Sequence, residues 1–275
     1  MRIILSTGCF HLMQFIRPLF VYPLIFMVFC QWTVPAVWAT ELTYATAIDK
    51  AGRQRMLTQR IVKSYVQVGL SANTRLSRQQ LEESVTLFES QLSELKEFSP
   101  DKEIGNALEQ VEMLWPPFKK AATTVPDKSG AAHLNQMDEV LLQACETVVS
   151  LLEDASGDSG YGRLVNISGR QRMLSQRIGM LYMLFSAGLG KPSMQNEMER
   201  LKHEFRGALD TLVSAPENTP VITKKLAAVA QQWVWLKSAV DMQTENYYPL
   251  IVADASEKIL RLMESITDLY AGLGE

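Results

Sequence analysis

The sequence contains few cysteines and few histidines, and this limits the chemistry available to the protein. Of its 275 residues, three are cysteine and three are histidine. Cys9 and Cys30 lie in an N-terminal segment, so the rest of the chain holds only Cys145, and neither a disulfide framework nor a cysteine-based zinc site can form there. His133 and His203 have no metal-ligand spacing. We expect no disulfide, no metal ion and no cofactor.

The chain also has no excess of positive charge. Its formal net charge is −3, whereas proteins that bind nucleic acids usually carry a basic excess, so we expect no nucleic-acid partner. No segment alternates apolar and polar residues with a period of two, so the sequence predicts no β-strand. No combination of a nucleophile with a base is evident, and we expect a protein that is not an enzyme.

Only the N terminus contains a strong hydrophobic run, over residues 19–30. Arg2 and Arg17 precede this run, and Val37 and Ala39 then form a small-residue cleavage pattern. This predicts that residues 1–39 are a secretory signal peptide, cleaved after Ala39, and that the mature protein is periplasmic. The alternative is an uncleaved N-terminal membrane anchor, although the run is short for a bilayer span of about 20 residues.

One ten-residue string occurs twice in the chain. Residues 52–61 read GRQRMLTQRI and residues 169–178 read GRQRMLSQRI, a shift of 117, and a shift of 118 places Trp115 on Trp233. A repeat of this length indicates a duplicated domain, because solenoid repeats have periods of roughly 20 to 50 residues. We predict one copy over residues 40–156, a linker over 157–162 and a second copy over 163–275.

Each copy has the hydrophobic periodicity of four helices. In the first copy, Pro116 and Pro117 predict a kink or an early end of the third helix, and Ser129 and Gly130 are expected to begin the fourth. The sequence predicts an all-α fold of two tandem up-down four-helix bundles with short connections. The predicted helices cover residues 42–70, 77–98, about 104–118 and from 129 in the first copy, and 161–189, 194–213, 221–243 and 248–273 in the second.

The linker sequence GDSGYG allows two arrangements of the bundles. The fourth helix could continue into the fifth and stack the bundles end to end, or the chain could reverse and place them side by side. Glycine inside a helix costs up to about 1 kcal/mol, and three of these six residues are glycine, so we favour the reversal. The two bundles then form a side-by-side pseudo-dimer around a pseudo-twofold axis.

The repeated string places a glycine one helical turn before an arginine, as Gly52 before Arg55 and Gly169 before Arg172. A glycine inside a helix indicates that a backbone or a ligand approaches closely. If the two helices meet at the glycines, Arg55 faces Arg172, and two planar guanidinium groups suit a small planar oxyanion. The alternative is that the arginines are structural and pair with carboxylates or with a protein partner. The candidate ligand-binding residues are Arg55, Arg172, Gly52, Gly169, Arg53, Arg170, Gln59 and Gln176.

The string AGRQRML(S/T)QR resembles the signature of the PilJ-type sensor domain, the N-terminal domain of type IV pili methyl-accepting chemotaxis transducers. It is also similar to the P-box of the NarX and NarQ nitrate sensors. The resemblance covers two tandem copies and implies a periplasmic four-helix bundle that dimerises and binds nitrate or nitrite between the two P-box helices. It assigns ligand contacts to Arg55 and Arg172, with Gly52 and Gly169 as the motif glycines. The chain would then be a monomeric, covalent version of the family's dimer.

Two departures from the family pattern affect this interpretation. Receptors of the family continue into signalling modules, whereas this chain stops at Glu275, so we expect it to act through a membrane sensor or transporter partner. The copies also differ beside the motif, where Asp49 becomes Asn166 and Ala51 becomes Ser168, so the site is expected to be asymmetric. We therefore predict a secreted periplasmic oxyanion sensor; the alternative is a helical protein-interaction module without a small ligand.

Overall fold

The computed structural model describes residues 42–157, 160–242 and 248–273, so the predicted signal peptide and its cleavage site lie outside the described residues. The described part of the chain forms eight α-helices and no strand. None of these helices is long and apolar enough to cross a membrane. The helices are α1 (Tyr44–Gly69), α2 (Thr74–Phe98), α3 (Lys102–Ala122), α4 (Lys128–Ser156), α5 (Gly160–Ser186), α6 (Pro192–Val213), α7 (Pro220–Asp241) and α8 (Pro249–Leu273).

Side-chain caps explain where α3 and α4 begin. Asp101 accepts a hydrogen bond from the backbone N–H of Ile104 at 2.9 Å, and Asp127 accepts one from that of Gly130 at 2.6 Å. Helix α4 therefore starts at Lys128, one residue before the predicted Ser129. Helix α5 starts at Gly160, within the segment predicted to be the linker.

Helix α3 continues through its two prolines. It runs past Pro116 and Pro117 to Ala122, so of the predicted kink or early end, the early end is wrong. Trp115 and Phe118, which flank the prolines, are both buried in the core. We attribute the continuation to their packing, which offsets the backbone hydrogen bonds that the prolines cannot donate.

The first helices of the two copies, α1 and α5, lie against each other along their length and run parallel. Asp49 near the start of α1 contacts Arg172, and Lys63 further along contacts Gln176, so partners on α5 advance in the same direction as on α1. Helix α4 runs antiparallel to α1, so the chain reverses between α4 and α5. The predicted side-by-side pair of four-helix bundles is confirmed.

The two copies build their cores with the same aromatic contact. Phe88 stacks on Trp115 with ring centroids 3.9 Å apart, and Phe205 stacks on Trp233 at 4.2 Å. These four side chains are all buried. The predicted correspondence of Trp115 with Trp233 is therefore a correspondence of core positions.

Helices α1 and α5 differ from the expected amphipathic helices because they are buried on almost every side. In α1, every residue from 54 to 68 except Arg60 is buried, and in α5 every residue from 171 to 184 is buried. Helix α1 packs against α2, α4 and α5, while α5 packs against α6, α8 and α1. Arg55, Arg172, Arg177 and the glutamines of the repeated string are therefore interior groups that require polar partners.

The paired tryptophans give a test of the repeat at the level of stability. Trp115→Ala and Trp233→Ala should each lower the free energy of unfolding by about 3–5 kcal/mol, because each removes a large stacked core ring. Trp235→Ala is the control, since Trp235 is 61% exposed, and it should change this free energy by less than about 0.5 kcal/mol. Urea unfolding followed by circular dichroism measures all three. A control variant as unstable as Trp233→Ala would contradict the assignment of the core.

Candidate functional site

The structure brings Arg55 of α1 and Arg172 of α5 together in the interior. Arg55 is only 1% exposed and Arg172 is 0% exposed. A Cβ placed on Gly52 would lie 3.3 Å from Nη2 of Arg55 and 3.8 Å from Nη2 of Arg172. The two guanidinium groups, which come from different copies of the repeat, therefore reach the same point above Gly52.

The motif glycines provide the room that these guanidinium groups occupy. A Cβ on Gly169 would lie only 3.0 Å from Nη2 of Arg172, which is closer than a side chain normally tolerates. Each arginine thus folds back over the glycine one turn earlier on its own helix. This explains why glycine stands at two buried helical positions where it would otherwise weaken the helix.

Each arginine also reaches across to the opposite copy. Arg172 Nη2 donates to Oδ1 of Asp49 at 2.6 Å, and Arg55 Nη2 donates to Oδ1 of Asn166 at 3.2 Å. Arg55 Nη1 further donates to Oε2 of Glu146 on α4 at 2.7 Å. The Asp49/Asn166 difference between the copies therefore lies directly at the arginine pair, with a charged acceptor on one side and a neutral amide on the other.

The neighbouring carboxylates are held in their charged form. Burial alone would raise the pKa of Asp49, but the charges of Arg172 and Arg53 outweigh it and hold this pKa below its ordinary value. Burial would also raise the pKa of Glu146, but the charges of Arg55 and Arg170 outweigh it and hold this pKa below its ordinary value. Each arginine of the pair therefore has a carboxylate counter-ion, Glu146 for Arg55 and Asp49 for Arg172.

Three N–H groups of the arginine pair remain without a hydrogen-bond partner in the described part of the chain. They are Nε of Arg55 and both Nε and Nη1 of Arg172, and all three are buried. Leaving a buried donor unpaired costs about 1–3 kcal/mol, and more when the group is charged. These donors are therefore suited to the oxygen atoms of an anion placed between the two helices.

A cavity of about 380 Å³ is lined in part by Ile48, Glu153, Arg163 and Asn166. Asn166 is the residue whose Oδ1 accepts from Arg55, so the cavity extends to a direct partner of the pair. Arg55 and Arg172 themselves are not among the residues that line this cavity.

Arg53 and Arg170, the first arginines of each motif, lie further out and are partly exposed. Arg53 Nη2 donates to Asp49 at 3.2 Å, and Arg170 Nη1 donates to Glu146 at 2.9 Å, while Arg170 also pairs with Glu204. Asp49 therefore bridges Arg53 and Arg172, and Glu146 bridges Arg55 and Arg170. The outer arginines act on the inner pair through these shared carboxylates.

Gln59 and Gln176 lie in a separate polar layer further along α1 and α5. Gln59 Nε2 donates to both oxygens of Asp138 at 2.8 and 2.9 Å, and its Oε1 accepts from Arg177. Gln176 Oε1 accepts from Lys63 Nζ at 2.5 Å, and its Nε2 donates to a backbone carbonyl of α8. Both amides are thus bonded to protein groups of this layer.

The second layer contains ion pairs that cross between the copies, which the repeated string alone did not predict. Arg60 and Lys63 donate to the two oxygens of Glu257 on α8 at 2.9 and 2.7 Å, and Arg177 donates to Glu139 on α4 at 2.8 Å. A shift of 118 places Glu139 on Glu257, so the third arginine of each motif binds the equivalent glutamate of the other copy. The equivalence of Glu139 and Glu257 in the repeat is the sequence feature that could have indicated these ion pairs.

No group of three His, Cys, Asp or Glu side chains in the described residues is arranged to hold a metal ion. Cys145 is a free thiol buried in the core, and burial raises its pKa well above the ordinary value. A thiol in this state is a poor nucleophile.

The fold and its interior define a duplicated helical-bundle protein whose two copies join through buried, arginine-bearing helices. The family model for the type IV pili methyl-accepting chemotaxis transducer N-terminal domain (PilJ) matches residues 37–141 and again residues 155–257. The chain therefore belongs to the PilJ family of sensory, non-catalytic domains, as two tandem copies. The two matches begin 118 residues apart, as the internal repeat predicts. Comparisons with curated proteins and with solved structures gave no significant match.

The second layer predicts a measurable dependence of stability on pH. Burial raises the pKa of Asp138 to about 6 from an ordinary value of 3.8, so the folded state holds a proton in this interval that the unfolded chain releases. Asp138 should therefore make the protein less stable as the pH rises from about 4 to about 6. Asp138→Asn should remove this decline, measured as the slope of unfolding free energy against pH.

Glu257 provides a control of opposite sign. Burial would raise the pKa of Glu257, but Lys63 and Arg60 lower it to about 2 from 4.5. Its contribution to stability is complete above pH 4.5 and is lost as the pH falls toward 2, and Glu257→Gln should abolish that acid-side loss. Identical slopes in the wild type and Asp138→Asn between pH 4 and 6 would contradict the assignment for Asp138.

Proposed function

We propose that this chain is a periplasmic sensory domain that binds a small oxyanion between α1 and α5, with nitrate or nitrite as the leading ligand. The observation that carries the proposal is the set of three buried guanidinium N–H groups on Arg55 and Arg172 that lack a protein partner. The arginines come from different copies of the repeat, so one anion would contact both halves of the molecule.

The shape and charge of the arginine pair favour this class of ligand. A guanidinium group is planar and offers N–H donors in a fixed fork, which matches the planar arrangement of oxygens in nitrate or nitrite. Because the anion would bridge α1 and α5, its binding would favour one particular spacing of the two helices. A ligand that prefers one spacing shifts the population toward it, and a membrane sensor or transporter partner would detect that shift.

A second function is supported by the carboxylates that already contact the pair. Glu146 bonds to Arg55 and Asp49 bonds to Arg172 without any ligand. In this alternative, the arginines are structural, and the chain is a helical protein-interaction module. Removing Arg55 or Arg172 would then take one of two arginine partners from Glu146 or Asp49 and destabilise the fold, but no anion would stabilise the wild type.

Thermal shift and calorimetry with sodium nitrate distinguish the two functions. A ligand that binds only the folded state, present at 100 times its Kd, stabilises a protein by about 2.7 kcal/mol. For a domain of this size, that corresponds to a rise in Tm of about 5–10 °C above sodium chloride at equal ionic strength. The double variant Arg55→Ala, Arg172→Ala should lose this response and the heat of nitrate binding.

The matched control is Arg60→Ala, Arg177→Ala, which removes the same charge from the same two helices in the second layer. This control should lower Tm but keep the nitrate response. Sulfate and phosphate are compared in the same assay. If nitrate and nitrite change neither Tm nor heat in the wild type, the sensor proposal fails and the interaction module stands.

The motif glycines allow binding to be separated from stability. Gly52→Ala and Gly169→Ala should lower nitrate affinity. The new Cβ would lie 3.3 Å from Nη2 of Arg55 in the first variant and 3.0 Å from Nη2 of Arg172 in the second, so each guanidinium group must move. Alanine is the better helix former by up to about 1 kcal/mol, which offsets part of the cost of crowding the arginines, so the folding stability should fall less than in the double arginine variant. Gly207→Ala on α6, where a Cβ meets open space, should leave binding intact. Unchanged nitrate affinity in both motif variants would argue against ligand contact at the glycines.

A further inference from the structure

We infer that Asp49 is a built-in counter-ion of the anion site and that it makes the site prefer singly charged anions over doubly charged ones. This inference rests on the proposed function, because it specifies which oxyanions the arginine pair accepts. It starts from the one difference between the two copies that touches the arginines directly.

Residues 49 and 166 are equivalent in the repeat, and each contacts the arginine of the opposite copy. Asp49 Oδ1 lies 2.6 Å from Nη2 of Arg172, whereas Asn166 Oδ1 lies 3.2 Å from Nη2 of Arg55. The two contacts are alike in geometry and differ in charge. One arginine therefore has a charged partner across the axis, and the other has a neutral one.

Asp49 would remain close to a bound anion. Its other oxygen, Oδ2, accepts a hydrogen bond from Arg53 Nη2 at 3.2 Å, and this arginine lies on the same helix one turn later. Arg53 therefore tethers the carboxylate from the outside. An anion bound by the unpaired Nε and Nη1 groups of Arg172 would leave both contacts of Asp49 in place, so the charge of Asp49 stays at the site.

The remaining charge of Asp49 acts differently on ions of different valence. At a separation of about 4 Å, two unit charges in water interact by an energy that corresponds to about fivefold in affinity, and by more in a buried setting. This repulsion counts once for a monoanion such as nitrate and twice for a dianion such as sulfate. Asp49 thus favours nitrate or nitrite over sulfate by about fivefold or more.

Reciprocal isosteric variants test this role. Asp49→Asn makes both acceptors neutral and should raise nitrate affinity about fivefold and sulfate affinity about twenty-five-fold. Asn166→Asp makes both acceptors charged and should lower the affinity for nitrate and for sulfate. The control is Asp268→Asn, which removes the same charge 3.9 Å from Arg53 at a residue whose side chain is 67% exposed, and it should change either affinity by less than about twofold. Isothermal titration of the mature protein measures all four proteins.

The outcomes separate this inference from the proposed function. If the wild type binds nitrate and Asp49→Asn changes neither the nitrate affinity nor the ratio of nitrate to sulfate affinity, the inference is overturned and the sensor function stands. If Asp49→Asn binds an anion that the wild type does not, the inference is supported. If no variant binds any anion while circular dichroism shows each to be folded, both proposals are overturned.

Discussion

The structure depends on the burial of arginine side chains at the contact between α1 and α5. A guanidinium group removed from water is costly unless carboxylates and amides replace its hydration. Arg172 finds Asp49, and Arg55 finds Glu146 and Asn166. Arg55 has the counter-ion Glu146 on its own copy, whereas Arg172 takes its counter-ion, Asp49, from the facing copy. The need to neutralise Arg172 therefore favours this placement of the two bundles.

The second polar layer imposes the same requirement further along the helices. Arg60 and Lys63 use Glu257 of the other copy, while Arg177 uses Glu139. These pairs are specific for one register, because sliding α1 along α5 by a turn would separate every charge from its partner. Apolar packing supplies most of the stability of such a contact, and the polar layers determine which parallel alignment it takes.

Much of this organisation could be predicted from the sequence. The 118-residue shift predicted the correspondence of Trp115 with Trp233, and the glycine-rich linker favoured the reversal. The glycine before each arginine indicated the close approach of a backbone or a ligand, but whether the two arginines meet stayed open. Burial of α1 on nearly all sides could not be predicted, since its arginines, glutamines and Lys63 are typical of a solvated face. The partner of Lys63 is 194 residues away on α8, and no local pattern marks such a pair.

Covalent fusion of the two copies also changes what a single substitution can do. In a symmetric homodimer every substitution appears on both sides of the axis, so a residue near the axis always meets its own duplicate. Here, position 63 is lysine in one copy and its equivalent, Met180, is apolar in the other. By the equivalence of the copies, a second lysine at position 180 would face Gln59 and Glu139, which Arg177 already binds. Joining the copies in one chain makes such one-sided chemistry possible at the centre of a two-fold architecture.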